Sequence, residues 1–112
     1  MTPGEVQRGL YDRIPLSRAM GVTVLRADLT RVELAAPLAP NLNPHATVFG
    51  GSGVSLAILA AWTVLELRER AAGGDAQLVI QRSGMHYERR NGHNRLTLRF
   101  GPTAAAWRDG AP

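Results

Sequence analysis

The chain has 112 residues, 45% of them apolar and 20% charged, and a formal net charge of +4. That is the size and composition of one globular domain with a core of modest extent. It contains no cysteine, and all 13 basic residues are Arg, so disulfides, a thiolate metal site, a cysteine nucleophile, a lysine Schiff base and a P-loop lysine are excluded. Aromatic residues make up only 5%, which leaves the packing to aliphatic side chains. The arginines are scattered, apart from Arg89-Arg90 and a looser group reaching Arg95 and Arg99. They read as a solvated surface, and no nucleic-acid partner is expected. Residues 1–5 lack a charged stretch leading into an apolar run, so no secretory signal is expected and the location reads as cytoplasmic. The uncharged run 48–65 is broken by Gly, Ser and Thr. Its strongly apolar part, 54–65, is shorter than the ~20 residues of a membrane span, which predicts a buried core helix and no membrane partner.

Val6, Leu10, Tyr11 and Ile14 fall at helical spacing, predicting a short amphipathic helix over 5–13. Pro15 opens a further turn over 16–20, and Gly21 ends it. Residues 22–27 are rich in β-branched side chains and read as a strand. Asp28-Leu29-Thr30 makes a turn into 31–38, where Val32, Leu34 and Ala36 alternate with Glu33, completing a hairpin. Pro37, Pro40 and Pro44 with Asn41 and Asn43 force a long irregular loop. The helix at 51–70 follows. It is apolar on nearly every face, with a small-residue stripe at Gly53, Ala57, Ala60 and Ala61 that admits a sheet. Gly73-Gly74 stops it. A long strand is predicted over 77–87, with Gly84 as a bulge or close contact. Asn91-Gly92 then turns the chain into a strand over 95–100. Residues 101–112 show no strand or helix pattern. The whole reads as a single domain, 1–112, with 1–13 an N-terminal extension and 101–112 an irregular tail. Strands around one buried helix place it in the α+β class.

The informative stretch is 41–52. A Pro-rich loop runs into Gly50-Gly51 at a helix start, where unpaired amides carry partial positive charge. Glycine lets a ligand approach the backbone there. That geometry suits attack on a thioester or acyl carbonyl, with an amide stabilising the developing negative oxygen. Tight packing of the helix start accounts for the glycines equally well. His45 is the candidate base, since histidine exchanges protons near neutral pH; the plainer alternative is a loop histidine bonded to backbone. Asn43 is a candidate to orient water or a carbonyl, or else a turn former. Phe49, Gly50 and Gly51 line the candidate substrate site, with Ser83 added from the strand after the helix. Arg89 and Arg90 suit phosphate, or simply form charged surface. His86 and His93 read as solvated or interfacial. The three histidines are not at ligand spacing, so no metal and no cofactor are expected.

Ile14-Pro15-Leu16-Ser17-Arg18-Ala19-Met20-Gly21-Val22, Val32-Glu33-Leu34-Ala35-Ala36-Pro37-Leu38-Ala39-Pro40-Asn41 and Thr47-Val48-Phe49-Gly50-Gly51-Ser52 together resemble the hotdog-fold thioesterase superfamily. The resemblance covers about residues 14–100. It is strongest to a bacterial thioesterase-like branch related to the C-terminal domain found beside an acetyltransferase. It implies an antiparallel sheet wrapped around one long central helix. It also implies a homodimer or dimer of dimers that binds acyl-CoA or acyl-carrier-protein thioesters at the subunit interface. The chain departs from the pattern in four places. Phe49 stands where many relatives have His. Leu56-Ala57-Ile58-Leu59 holds no carboxylate where many place the acid that drives hydrolysis. Arg82-Ser83 replaces the Asp-Ser of the related branch. The domain is expected to be shortened at its C-terminus, lacking two strands. The expectation is an acyl-CoA thioesterase; the alternatives are a non-catalytic acyl- or CoA-binding module and a structural Arg-rich dimer.

Overall fold

The computed structural model describes residues 1–74 with their side chains, and the backbone of residues 95–100 and 105–109. Helix α1 (Pro3–Arg13) opens with a reciprocal cap. Thr2 Oγ1 accepts the Glu5 N–H and Glu5 Oε1 accepts the Thr2 N–H, both at 3.2 Å. Two otherwise orphaned donors are thereby satisfied. The cap moves the helix start ahead of the apolar spacing that predicts it. Val6 and Leu10 enter the core, while Ile14, on the same predicted stripe, serves as the C-cap.

Helix α2 (Pro15–Ala19) takes Pro15 in its first turn, where the missing N–H costs nothing. Gly21 ends it at φ +73°, a left-handed conformation that glycine adopts without a Cβ penalty. A hairpin of β1 (Thr23–Ala27) and β2 (Val32–Pro37) follows as expected. Asp28 Oδ1 holds the turn by accepting the Thr30 and Arg31 N–H groups at 2.9 and 2.8 Å. Val32, Leu34 and Ala36 are buried as the alternation predicts, but Ala35 is buried too, so the alternation of burial fails at one position.

Strand β3 (Arg95–Phe100) pairs antiparallel with β2, setting Leu96, Leu98 and Phe100 opposite Ala36, Leu34 and Val32. Strand β4 (Ala105–Asp109) pairs antiparallel with β3, giving the order β1-β2-β3-β4. This corrects the expectation of an irregular tail over 101–112. Ala105 and Ala106 hide the start of a strand because neighbouring backbone, not local propensity, decides pairing. The predicted strand 77–87 and the Asn91-Gly92 turn lie outside the described residues.

Helix α3 (Gly50–Ala71) packs on β2 and β3. Leu56, Leu59, Ala60 and Val64 recur at helical spacing and join Val32, Leu34 and the β1 valine Val24 in one core. By length and composition alone α3 could cross a membrane; here its most buried residues face the sheet. Helix α1 lies along β1, at the edge of this described sheet. There Gln7 Oε1 accepts the Val24 N–H at 2.9 Å and the Tyr11 hydroxyl donates to the Val22 carbonyl at 2.6 Å. Covering the edge in this way occupies a free backbone donor.

Candidate active site at the start of the central helix

The chain enters α3 through a 3-10 turn, Ala39–Asn41, and a small closed loop. Asn41 is 3% exposed. Its Nδ2 donates to the Met20 carbonyl at 2.9 Å and the Pro37 carbonyl at 2.8 Å. Its main-chain carbonyl accepts the Phe49 N–H at 2.7 Å. Its Oδ1 is buried and has no hydrogen-bond partner among the described residues. A bridge between Leu42 and Val48 closes the loop.

Inside that loop, Asn43 Oδ1 accepts the His45 and Thr47 N–H groups at 2.9 and 3.1 Å. Its Nδ2 donates to Thr47 Oγ1 at 2.8 Å and to the Val48 carbonyl at 3.3 Å. Two donors and two acceptor positions are the whole capacity of an asparagine side chain. Asn43 therefore builds the loop. His45 sits exposed within it, beside Ala46, which takes φ +61°.

Phe49 is the N-cap of α3, extended at φ −62° and ψ 130°, and makes no side-chain cap. Its carbonyl accepts the Gly53 N–H at 3.1 Å. Phe49 is 54% exposed, and its ring edge lies so near Gly51 that a Cβ there would be 2.5 Å from Cε2. Gly51 thus lets an aromatic ring lie against the first helical turn. The helix presents its positive dipole end here, beside an apolar wall formed by Phe49. Phe49, Gly50 and Gly51 form one locus, reached from the loop that carries Asn43 and His45. Ser83, Arg89 and Arg90 lie outside the described residues.

The first acid on α3 is Glu66, ~22 Å along the axis from Gly51 at the usual helical rise. It is buried and paired with Arg13 and, at 3.0 Å, with Arg70. Burial pushes its carboxyl up, and the two guanidinium groups outweigh that, holding it below the ordinary carboxylate range. Arg13 also stacks over the Trp62 ring at 5.1 Å. Glu66 is a tie between α1 and α3. Asn41 is the residue that sequence reasoning passes over: Asn41 and Asn43 look alike in the loop, and nothing local shows which one is buried.

The model of the family described as Putative thioesterase (yiiD_Cterm) matches residues 4–94. A putative thioesterase from Shewanella oneidensis superposes with a TM-score of 0.78 at 24% identity, over 87% of this chain and 71% of that one. A protein from Chlorobaculum tepidum gives 0.82 at 26% identity, over 89% of this chain and 61% of that one. A mutant of the phenylacetic acid degradation protein PaaI from Thermus thermophilus gives 0.59 at 29% identity, over 76% and 70%. An antiparallel sheet packed on one long helix, and a glycine pair at that helix's start, are thus joined to a family match over most of the chain. The chain belongs to the putative thioesterase (yiiD_Cterm) family, within the hotdog-fold thioesterases.

Proposed function

We propose that the protein hydrolyses acyl-CoA or acyl-carrier-protein thioesters, at a site completed by a second copy of the chain. The glycine pair at the start of α3, beside the exposed ring of Phe49, carries this reading. The thioester carbonyl lies over the amides at Gly50 and Gly51, which stabilise the oxyanion as it forms. The Phe49 ring walls the acyl side. His45 takes a proton from the attacking water. The tetrahedral intermediate collapses with loss of the C–S bond, and the proton passes to the departing thiolate. The products are a carboxylic acid and a thiol. Asn43 acts through the loop it builds. Ser83 lines the pocket, and Arg89 and Arg90 hold the phosphates of a CoA moiety.

A panel of acyl-CoA thioesters of increasing chain length, followed by a thiol-reactive dye, tests the proposal. The chain has no cysteine, so the protein itself adds no thiol signal. Turnover above the uncatalysed rate is expected. Its absence across the panel, with folded protein, overturns the enzymatic reading. His45→Ala is expected to lower kcat by about 100-fold, the ordinary scale of acid–base catalysis; an unchanged kcat removes His45 from the mechanism. A second reading is favoured by one observation: among the described residues the first two turns of α3 carry no carboxylate. That reading is a module that binds acyl-CoA without cleaving it, and saturable CoA binding with no turnover would establish it.

A further inference from the structure

We propose that Asn41 is a positioning residue that sets where the α3 amides stand, acting through Phe49. The inference rests on the thioesterase reading for its kinetic consequence, but not for its structural one. Three segments meet at Asn41: the end of α2, the end of β2, and the N-cap of α3. The junction is tight. Gly21, at φ +73°, packs so that a Cβ would stand 3.1 Å from Pro37 Cδ and Cγ and 4.0 Å from Pro40 Cγ. That approach brings the Met20 carbonyl within 2.9 Å of Asn41 Nδ2, while the same nitrogen reaches the Pro37 carbonyl at 2.8 Å. With both amide hydrogens used, residue 41 is pinned to the sheet and to the α2 turn. Its own carbonyl then receives the Phe49 N–H at 2.7 Å, and Phe49 passes the constraint on by accepting the Gly53 N–H at 3.1 Å. Phe49 itself makes no side-chain cap, and this relay is a direct polar tie from the N-cap of α3 to the sheet. The buried Oδ1, unpartnered among the described residues, points the same way. A group chosen only to fill space would not leave an acceptor unsatisfied, whereas two donors on one planar nitrogen are what the two carbonyls require.

The test compares wild type, Asn41→Ser, Asn41→Ala and Tyr11→Phe. Tyr11→Phe removes a different hydrogen bond near the same junction, Tyr11 to the Val22 carbonyl, and reports what loosening without loss of the Asn41 pins does. Amide hydrogen exchange is read at Phe49 and Gly53 against β2 amides as the internal reference. Asn41→Ala is expected to speed exchange at Phe49 and Gly53 by about tenfold relative to β2, because local opening there no longer breaks the Asn41 pins. Asn41→Ser, whose hydroxyl reaches one carbonyl at most, should fall between. Tyr11→Phe should leave the ratio unchanged. If turnover is present, kcat should drop by at least about tenfold in Asn41→Ala with KM within about twofold, since misplaced donors cost rate more than binding. Uniform exchange across Phe49, Gly53 and β2 in both Asn41 variants overturns the inference whether or not the protein turns over a thioester. Should Asn41→Ala not fold, Asn41→Ser decides by the same ratio. Absence of turnover with a selective exchange change refutes the thioesterase reading and leaves the positioning role standing.

Discussion

Gly51→Ala separates the packing of the helix start from its chemistry. The new methyl would stand 2.5 Å from Phe49 Cε2, 3.1 Å from Cζ and 3.2 Å from Cδ2, so the ring must move. It can move, because Phe49 is 54% exposed and the contacts are with the far end of its side chain. Turning a side chain off its preferred rotamer costs about 0.5–1.5 kcal/mol. Replacing a helical glycine by alanine returns up to about 1 kcal/mol. The two nearly cancel, and Gly51→Ala should change unfolding free energy by less than about 1 kcal/mol in urea titration. The wall beside the first turn is nevertheless displaced, and in the proposed function the thioester meets that wall. Turnover of acyl-CoA substrates should therefore fall by at least about tenfold, about 1.4 kcal/mol in transition-state stabilisation, in a protein of near-normal stability. Phe49→Ala combined with Gly51→Ala removes the clash. A loss of several kcal/mol in stability for Gly51→Ala alone would show that the ring has nowhere to go, and would refute this account of the helix start.

Other outcomes follow from the same contacts. Leu34→Ala empties a fully buried position on β2, between β1 and β3, and should cost about 3 kcal/mol in denaturant titration. Glu66→Ala unpairs Arg13 and Arg70, whose side chains are 37% and 50% exposed; because both can rehydrate, the loss should be about 1–2 kcal/mol, below the usual value for a fully buried pair. Glu66 and Asp28 both have folded-state carboxyls held below their ordinary values of 4.5 and 3.8. For Asp28 the cause is hydrogen bonds from Thr30, then Arg31 and Arg26. The stability they contribute is thus fully present above those ordinary values and lost as pH falls through the lowered ones. Melting temperature should be flat from pH 7 to about pH 5 and decline below it, and Glu66→Gln should flatten that decline. Ala46→Gly relieves a left-handed φ of +61° and should raise stability by about 0.5–1 kcal/mol; a melting curve with no gain would show that the loop carries no strain at this residue.

The parts of the fold legible in the sequence are those governed by one local signal at a time. The apolar run of α3, the alternation of Val32, Leu34 and Ala36, and the stop at Gly21 each depend on residues a few positions apart. The first turn of α1 is harder to read, because Thr2 and Glu5 act as a pair and neither is apolar. β4 is not legible, since Ala105 and Ala106 carry no strand preference and their pairing depends on β3. At the candidate site, Gly50 and Gly51 mark the start of the helix because a glycine pair leads into an apolar run, and the packing of the Phe49 ring on Gly51 is a tertiary contact that this run does not show. Asn43, a sequence candidate for orienting water, spends its side chain on Thr47, Val48 and His45. Asn41 gives no local sign of its role. Burial of a polar side chain is a property of the tertiary junction of Gly21, Pro37 and Pro40, which no window of sequence contains.

The two ends of α3 are held by different means, and this divides what substitutions can do. At the C-terminal half, Glu66 grips Arg13 and Arg70, and Arg68 donates to the Leu29 carbonyl at the β1–β2 turn. These are ion pairs and side-chain bonds to the outside of the fold, and their loss loosens α1 or the turn without touching the first turn of the helix. At the N-terminal end, among the described residues, the tie is uncharged: backbone hydrogen bonds relayed through Asn41 and Phe49 join the helix start to the sheet. A carboxylate among Gly50, Gly51 and Ser52 would neutralise that end and compete with any oxyanion for it. On the proposed function, a neutral tie at this end leaves the oxyanion no charged competitor, and Asn41 is such a tie, neutral and buried beside the helix start.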